Sequence, residues 1–301
     1  MKINSSYSPL VSVIMNCFNG ENYLADSINS ILNQTYKNFE VIFWDNRSND
    51  KSAIIYKSFK DKRLKYYYAK RFTSLYEARN LAINKSKGKL IAFLDTDDLW
   101  TKHKLYLQVK KLKNEKIGLV YTNYYFLNQI TGLKKIAYKK KLPEGMIFHK
   151  LLKDYCIGIG GVIMKKNLFL KNKEIFNKKF NIIGDFDLFT RLSKKFYFAS
   201  IQEPLLIYRI HNKSFSNNHR QMYINELKFW LIKQKIFDSR SFIYVRQKII
   251  YMEAILNILN KKYILSLKKI FQVLSLEKKI KLFIFLLIPS FILKKLRDNF
   301  S

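Results

Sequence analysis

Short apolar runs alternate with segments of helical periodicity through the first third of the chain, and this alternation limits the fold more than any other feature. Such alternation is typical of an α/β fold, in which a mainly parallel sheet is flanked by crossover helices. Strands are predicted over residues 10–15, 39–44, 64–68 and 89–94. Helices are predicted over residues 24–32, 50–59 and 75–86, where apolar side chains recur at helical spacing.

The pattern changes twice further along the chain. From residue 118 to about residue 216 it is mixed and less periodic, and beyond residue 217 glycine is absent and helical periodicity dominates. We therefore predict one α/β domain over residues 1–216 and a helical, basic C-terminal region over residues 217–301. Thr101 is predicted as the N-cap of the helix that follows the fourth strand.

Three of the 22 acidic residues fall together directly after the fourth predicted strand, at Asp95, Asp97 and Asp98. In open α/β sheets ligands bind outside the carboxyl ends of the strands. Carboxylates this close repel one another unless a cation intervenes, and Mg²⁺ or Mn²⁺ held by carboxylates and substrate phosphates would relieve that repulsion. The alternative is a solvated acidic turn that caps the next helix.

Two further acids stand at informative places. Asp45 ends the second predicted strand and opens a polar loop, residues 45–50, whose side chains could read a nucleobase and a ribose. Asp187 and Arg191 are spaced as an i,i+4 helical pair, which leaves Asp185 free to point into a cleft. A carboxylate there could serve as a general base, although a simple helix cap is the alternative.

The chain is strongly basic, with 56 Lys and Arg against 22 Asp and Glu, or a net charge of +34. This excess favours polyanionic partners such as phosphates, nucleic acid or an anionic lipid leaflet. The alternative is compositional drift, because only 10 of the 56 basic residues are Arg.

The tail concentrates both charge and apolar surface. Residues 261–297 hold ten Lys or Arg and one acid, and the apolar stretch 282–293 follows three lysines. This combination suits an interfacial helix on an anionic membrane, although packing on the α/β domain is the alternative. One helical stripe is predicted there, formed by Tyr263, Ile264, Leu267, Ile270, Phe271 and Leu274.

Cysteine usage and apolar segments bound the cellular setting. Cys17 and Cys156 cannot form a disulfide framework, and no His/Cys cluster suggests zinc. We expect no signal peptide, and no transmembrane segment, because the longest strongly apolar run is twelve residues against the roughly 20 that a spanning helix needs. The expected location is cytoplasmic, peripheral on the inner face of the cell membrane.

Several motifs in order make the chain resemble family 2 glycosyltransferases of the GT-A fold. Residues 11–19 resemble the family's first strand and loop, and residues 30–36 with 39–42 are a highly specific signature. Residues 43–50 resemble the base-binding loop, and residues 77–83 and 88–98 lead to the DXD metal motif. Residues 184–192 resemble the motif bearing the catalytic base, and residues 203–205 and 208–211 resemble the segment that closes the site.

The resemblance implies an inverting transferase that moves a sugar from a nucleotide-diphosphate sugar, with a UDP-sugar favoured, to a hydroxyl of a glycan or lipid-linked glycan, aided by Mg²⁺ or Mn²⁺. It implies that Asp185 is the catalytic base. Donor-binding positions carried over are Asn16, Phe18, Asn19, Asp45, Asn46, Arg79, Asp95, Thr96 and Asp97. Implied metal ligands are Asp97, Asp98 and His211.

Two departures from the family pattern keep alternatives open. Asn46 stands where many members have a second Asp, and Gly184 replaces the usual Glu before the base. A catalytically inactive GT-A binding module is one alternative. A basic nucleic-acid-binding protein is another, although the basic residues are dispersed and no RNP, zinc-finger or helix-turn-helix pattern is present.

Overall fold

Four parallel strands form one half of the sheet in a computed structural model of the protein, which describes residues 7–170, 175–212, 219–234, 239–289 and 293. The strands are β1 (Val11–Cys17), β2 (Phe39–Asp45), β3 (Leu64–Tyr68) and β4 (Leu90–Phe93), paired in the order β3-β2-β1-β4. β1 and β2 are buried along their whole length, as expected for strands with helices on both faces. The predicted α/β fold class is confirmed.

The other half of the sheet is antiparallel, which the weak periodicity beyond residue 118 did not indicate. β8 pairs antiparallel with both β4 and β6, and β5 pairs antiparallel with β9. The order continues β4-β8-β6-β9-β5, with β7 on β6. These strands are β5 (Leu99–Trp100), β6 (Ile117–Asn128), β7 (Lys134–Ile136), β8 (Ile163–Lys165) and β9 (Tyr197–Ile210).

Seven α-helices occur in the first part of the described chain, up to residue 212. They are α1 (Leu24–Leu32), α2 (Ser52–Ser58), α3 (Leu75–Lys85), α4 (Lys104–Leu112), α5 (Phe148–Lys153), α6 (Asn167–Leu170) and α7 (Gly184–Ser193). The prediction that Thr101 is an N-cap is wrong. The chain first adds β5 to the sheet, so α4 starts only at Lys104, and the buried Thr101 hydroxyl has no hydrogen-bond partner among the described residues.

Two residues of the family signature have structural tasks. The Gln34 amide is fully buried, donates to the carbonyl of Thr101 and accepts from the backbone N–H of Leu105. The Glu40 carboxylate accepts from the Ser12 hydroxyl at 2.6 Å and from the Lys87 backbone N–H at 2.6 Å. The signature therefore fixes the loop that enters α4 and the loop that enters β4, and with them the position of residues 95–98.

The chain divides into two compact units, residues 1–148 with 155–209, and residues 149–154 with 210–301. The domain boundary predicted at residue 216 falls later than this division. In the second unit, α8 (Arg220–Lys233), α9 (Ser239–Leu259), α10 (Tyr263–Gln272) and α11 (Leu276–Leu287) surround a small core. That core includes Ala254, Ile258, Ile270, Val273, Leu282 and Leu293.

The apolar stripe predicted in the tail is divided by this packing. On α10, Ile270 lies in the core, whereas Ile264 is 74% exposed and Phe271 is 70% exposed. Part of the stretch 282–293 lies outside the described residues. No helix in the described ranges combines the length and apolarity that crossing a bilayer requires. We call five exposed side chains the apolar face of α11: Leu276, Ile280, Phe283, Ile284 and Leu287.

Candidate active site

The carboxyl end of β1 presents three of the predicted donor-binding residues. Asn16 is buried, and both polar atoms of its amide are without a hydrogen-bond partner among the described residues. Phe18 is 53% exposed and packs edge-on against Phe72, with ring centroids 4.8 Å apart. Asn19 has a left-handed backbone, φ 56°, and its side chain accepts from the Asn49 backbone N–H. An unsatisfied buried amide beside exposed aromatic rings fits the binding of a polar ligand.

Asp45 at the end of β2 is fully buried. One carboxylate oxygen accepts from the Ser48 backbone N–H at 2.8 Å, and the other accepts from the Tyr66 hydroxyl at 2.6 Å. Burial and the neighbouring Asp45 carboxylate raise the pKa of Tyr66, so the phenol stays protonated and keeps donating. Asp45 therefore shapes the loop after β2, and its direct contact with a base or ribose stays a prediction.

Asn46 is buried and its side chain is engaged with Thr73. The amide oxygen accepts from both the backbone N–H and the hydroxyl of Thr73, and the amide nitrogen donates to the Thr73 carbonyl. Because two donors occupy the lone pairs of the oxygen, this arrangement offers a ligand an amide hydrogen rather than an acceptor. Base reading by the Asn46 oxygen would require Thr73 to move.

The acidic cluster follows β4 and is held against α1 and α3. Asp95, 34% exposed, pairs with the nearly buried Arg79 at 2.5 Å. The Ser27 hydroxyl of α1 lies 2.8 Å from the Thr96 carbonyl and 2.7 Å from the Asp98 carbonyl, which fixes the turn. Thr96 lies close enough to Gly20 that a Cβ there would approach its hydroxyl to 2.8 Å. The β1 loop and the acidic turn thus meet, as the parallel topology predicts.

Asp98 and Arg209 form the buried side of this cluster. The Asp98 carboxylate accepts from the Arg209 backbone N–H at 3.0 Å, and burial, with the charges of Asp97 and Asp95, raises its pKa well above the ordinary value. The Arg209 guanidinium pairs with Asp26 at 2.8 Å, yet Nε and Nη1 are buried without a partner among the described residues. Sequence reasoning gave Arg209 no role, and its unsatisfied donors suit an anionic ligand.

The predicted metal ligands do not form a ready-made cage. In the ranges covered by the structure, no three His, Cys, Asp or Glu side chains gather as a metal site. Such an arrangement still suits Mg²⁺, which is usually held by one or two carboxylates plus substrate phosphates. The mutual repulsion of Asp95, Asp97 and Asp98 likewise fits a cation. His211 is half-buried and belongs to the second unit, two residues beyond Arg209.

Asp185 lies in the first turn of α7, partly buried between two tyrosines. The Tyr155 hydroxyl donates to Oδ2 at 3.2 Å, and the Tyr76 hydroxyl lies 3.3 Å from Oδ1. Burial raises the pKa of Asp185, while the Arg79 charge and the tyrosine hydroxyls lower it. The predicted pair of Asp187 and Arg191 is present at 2.9 Å, which separates Asp187 from the role of Asp185.

Gly184 has a physical explanation in the ring of Tyr76. A Cβ at position 184 would lie 2.5 Å from the nearest ring carbon of Tyr76, closer than real Cβ contacts allow. The ring therefore occupies the space where a side chain at position 184 would begin. Sequence reasoning missed Tyr76 and Tyr155, because among 20 tyrosines neither carries a distinguishing local pattern.

The fold is a mixed α/β fold whose polar candidate residues gather at the carboxyl ends of parallel strands, and comparison with known families identifies the class of protein. The family model described as Glycosyl transferase family 2 matches residues 12–195. The chain belongs to glycosyl transferase family 2, and the resemblance drawn from its motifs is confirmed.

Relatives and solved structures extend this result. The chain is 31% identical to the uncharacterized glycosyltransferase MJ1057 of Methanocaldococcus jannaschii, over 96% of this chain and 93% of that one. It is 35% identical to the Escherichia coli protein named UDP-Glc:alpha-D-GlcNAc-diphosphoundecaprenol beta-1,3-glucosyltransferase WfgD, over 53% of this chain and 61% of WfgD. That match spans less than two thirds of the length of WfgD.

Two solved structures share the fold. One is S. aureus TarS 1-349 in complex with UDP, with a TM-score of 0.59 and 18% identity, over 82% of this chain and 70% of TarS 1-349. The other is the mannosyltransferase PcManGT of Pyrobaculum calidifontis in complex with GDP-Man and Mn²⁺, with a TM-score of 0.63 and 14% identity, over 98% of this chain and 85% of that one.

Proposed function

We propose that this protein is an inverting hexosyltransferase that moves a sugar from a nucleotide-diphosphate sugar to a hydroxyl of a glycan or lipid-linked glycan. The observation that carries the proposal is the position of Arg79. Its guanidinium pairs with Asp95 of the acidic cluster, and its charge also acts on Asp185. Residues from α3, from the turn after β4 and from α7 thus meet in one charged site.

A UDP-sugar is the favoured donor. WfgD is named for UDP-Glc, and TarS was solved with UDP and with UDP-GlcNAc. The identity of the nucleobase stays open for two reasons. PcManGT was solved with GDP-Man, and the Asn46 carbonyl oxygen is already occupied by Thr73. We assign the nucleotide to the β1 and β2 loops, where Asn16 has unsatisfied hydrogen-bonding groups and Phe18 offers a ring for stacking.

The transfer itself is a single displacement. The acceptor oxygen forms the new bond to the anomeric carbon, Asp185 takes the acceptor's proton, and the bonding electrons of the departing group stay on the diphosphate. Attack opposite the leaving group inverts the anomeric centre. Arg209, with two unsatisfied donors, is placed to stabilise the negative charge that develops on the diphosphate.

Asp97 and Asp98 would hold Mg²⁺ or Mn²⁺. An ion held there would supply positive charge to offset the negative charge of the leaving diphosphate. We expect a chelator to abolish turnover and added Mn²⁺ or Mg²⁺ to restore it. Transfer at an unchanged rate in the chelator would contradict the metal assignment.

A donor panel followed by one substitution tests the proposal. Thermal-shift measurements with UDP-sugars and GDP-sugars and Mn²⁺ identify the donor, and Asp185→Asn is then compared with wild type in single-turnover transfer. We expect retained donor binding and a loss of transfer of at least about 100-fold. The exposed Asp154→Asn serves as the control. Near-normal transfer by Asp185→Asn would remove the base role, and nucleotide binding without turnover by wild type would favour an inactive module.

We also propose that the protein associates with a membrane and acts on a lipid-linked acceptor. The apolar face of α11 supports the membrane association. WfgD is named for a diphosphoundecaprenol-linked acceptor. On α11 the apolar face recurs at i, i+4, i+7, i+8 and i+11, and it is flanked by the exposed Lys278 and Lys281. Phe271 of α10 extends it, with its ring 6.3 Å from that of Phe283. Apolar side chains beside lysines suit an anionic bilayer surface.

Co-sedimentation with vesicles tests this face. Because Ile280 and Ile284 are exposed, a double change to Glu should leave the fold intact and remove binding to vesicles rich in phosphatidylglycerol. Ile54→Glu, at a 71% exposed position of α2, is the matched control and should bind like wild type. Equal binding by the double variant would defeat the assignment of the apolar face.

A further inference from the structure

We propose that Tyr155 is a positioning residue for Asp185, holding the carboxylate in one orientation through the hydrogen bond from its hydroxyl. The inference deepens the proposed function, since it rests on Asp185 as the base. It adds a residue to the machinery that no motif contains. The hydroxyl of Tyr155 acts through Asp185 and is not assigned a contact with substrate.

The placement of Tyr155 is fixed on several sides. Its ring packs edge-on against Phe186, the residue after the base, with centroids 5.2 Å apart. Its backbone carbonyl accepts from the Tyr138 hydroxyl at 2.7 Å. With both ring and backbone anchored, the hydroxyl reaches Asp185 Oδ2 at 3.2 Å. A donor held this firmly loses little conformational freedom on binding the carboxylate.

Tyr76 makes a different contribution from the opposite side. Its single hydroxyl proton has two acceptors, the Ile182 carbonyl at 2.7 Å and Asp185 Oδ1 at 3.3 Å. The nearer carbonyl is the stronger acceptor by distance. Tyr76 therefore anchors the turn before α7 and lies beside the carboxylate. Tyr155 is the side-chain donor directed at the carboxylate, and the Phe186 backbone N–H also donates to Oδ1 at 2.8 Å.

The electrostatic surroundings of Asp185 give the substitution a predictable sign. α3 contributes Tyr76 and the positive charge of Arg79, which is shared with Asp95, and the segment after α5 contributes Tyr155. On α7 itself, Asp187 is paired with Arg191. Burial raises the pKa of Asp185 and the Tyr155 hydrogen bond opposes that rise. Removing the Tyr155 hydroxyl takes away one interaction that lowers the pKa of Asp185. The pKa therefore rises further, and the carboxyl keeps its proton to a higher pH.

A direct titration tests the proposal without any substrate. Protein labelled with ¹³C at the Asp carboxyl carbons is titrated by NMR, and the Asp185 resonance is identified by its absence in Asp185→Asn. We expect Tyr155→Phe to move the midpoint of that resonance to higher pH. Tyr36→Phe is the matched control, because Tyr36 is also buried and its hydroxyl donates to the Pro9 carbonyl. An unmoved midpoint in Tyr155→Phe would overturn the proposal.

Replacement of Tyr155 by 3-fluorotyrosine gives a second variant of nearly the same shape. The fluorinated phenol is a stronger donor, so the midpoint should move to lower pH, opposite to the effect of Phe. A merely structural role of Tyr155 would not give shifts of opposite sign. Identical midpoints for 3-fluorotyrosine and tyrosine would contradict the inference even where Tyr155→Phe fails to fold.

Turnover then separates this inference from the proposed function. With the donor found by the thermal-shift panel, Tyr155→Phe should lose about tenfold in rate on the acidic side of the pH profile and recover at high pH, with nucleotide affinity unchanged. If Asp185→Asn transfers normally while the carboxyl midpoint still moves, the base assignment fails and the positioning contact stands. If Asp185→Asn is inactive and the Tyr155→Phe profile matches wild type, the positioning role fails alone.

Discussion

At the scale of single residues, the ring of Tyr76 from α3 occupies the space that a side chain at position 184 would need. The Tyr76 ring lies where a Cβ on residue 184 would begin, and its hydroxyl anchors the Ile182 carbonyl. Glycine at position 184 is thus required by packing rather than by backbone conformation. The departure from the family pattern has a local cause.

Gly184→Ala should therefore destabilise the protein. The added Cβ would meet ring carbons of Tyr76 at 2.5–2.6 Å, and overpacking of this kind costs about 1–3 kcal/mol. The measurement is the urea midpoint at neutral pH. Gly158→Ala is the control, because a Cβ there meets its nearest atoms at an ordinary 3.4 Å. Equal stability of the two variants would show that the Tyr76 ring moves freely.

Arg79→Met should affect both the acidic cluster after β4 and the carboxylate of Asp185. The change removes the partner of Asp95 and a charge that lowers the pKa of Asp185. We expect turnover roughly 10- to 100-fold lower and an acidic limb displaced to higher pH. Steady-state rates between about pH 5 and 9 measure both the turnover and the position of the acidic limb. This range lies above the usual pKa of Asp, on the side to which burial moves the pKa of Asp185. Arg63→Met, which removes the pair with Asp61 and the contact of the guanidinium with the Phe39 ring, both outside the candidate site, should leave the profile in place.

Sequence reasoning named several of the polar residues that the structure brings together, because these residues follow strand ends in recognisable motifs. Asp95 and Arg79 meet as an ion pair, and Asp187 pairs with Arg191 as the helical spacing predicts. Tyr76, Tyr155 and Arg209 were given no role because their partners lie far away in sequence, 106 residues from Tyr76, 30 from Tyr155 and 111 from Arg209. Only the folded chain brings a generic tyrosine against a particular carboxylate.

At the scale of elements, the buried strands were predictable and the antiparallel half was not. A run such as β1 is short, mostly apolar and buried on both faces, which identifies it without knowledge of its partners. β5 has two residues and is defined by its pairing with β9, so its existence depends on residues 206–207. That dependence explains the error at Thr101.

The N-cap of α3 gives a test at this scale. The Ser74 hydroxyl accepts from the backbone N–H of Glu77, and α3 carries both Tyr76 and Arg79. Ser74→Ala should cost about 1 kcal/mol, or roughly 2–4 °C in melting temperature for a unit of this size. Ser58→Ala, near the end of α2, is the control. A melting temperature equal to that of wild type would mean that α3 is held by packing alone.

At the scale of the whole molecule, the buried carboxylate of Asp185, the proposed base, lowers the stability of the fold. The folded-state pKa of Asp185 lies above its unfolded value. Folding thus favours the protonated carboxyl; this stabilisation is full below the unfolded pKa and is lost as pH rises through the folded pKa. At neutral pH the ionised carboxylate is a net cost to the folded protein.

Asp185→Asn should consequently be more stable than wild type at neutral pH, by on the order of 1 kcal/mol. The difference should shrink as the pH is lowered, because wild-type Asp185 then becomes neutral as well. Urea unfolding at a series of pH values measures this, with Asp154→Asn as a comparison at an exposed position. A constant difference across the series would exclude ionisation as its cause.

The contact between Tyr76 and Gly184 also restricts how this lineage can vary. A homologue with a larger residue than glycine at position 184 needs a smaller side chain than tyrosine at position 76, because both substituents would occupy the same space. The two sites should therefore change together among orthologues. Such a paired substitution would show from sequence alone which family members share this arrangement beside Asp185.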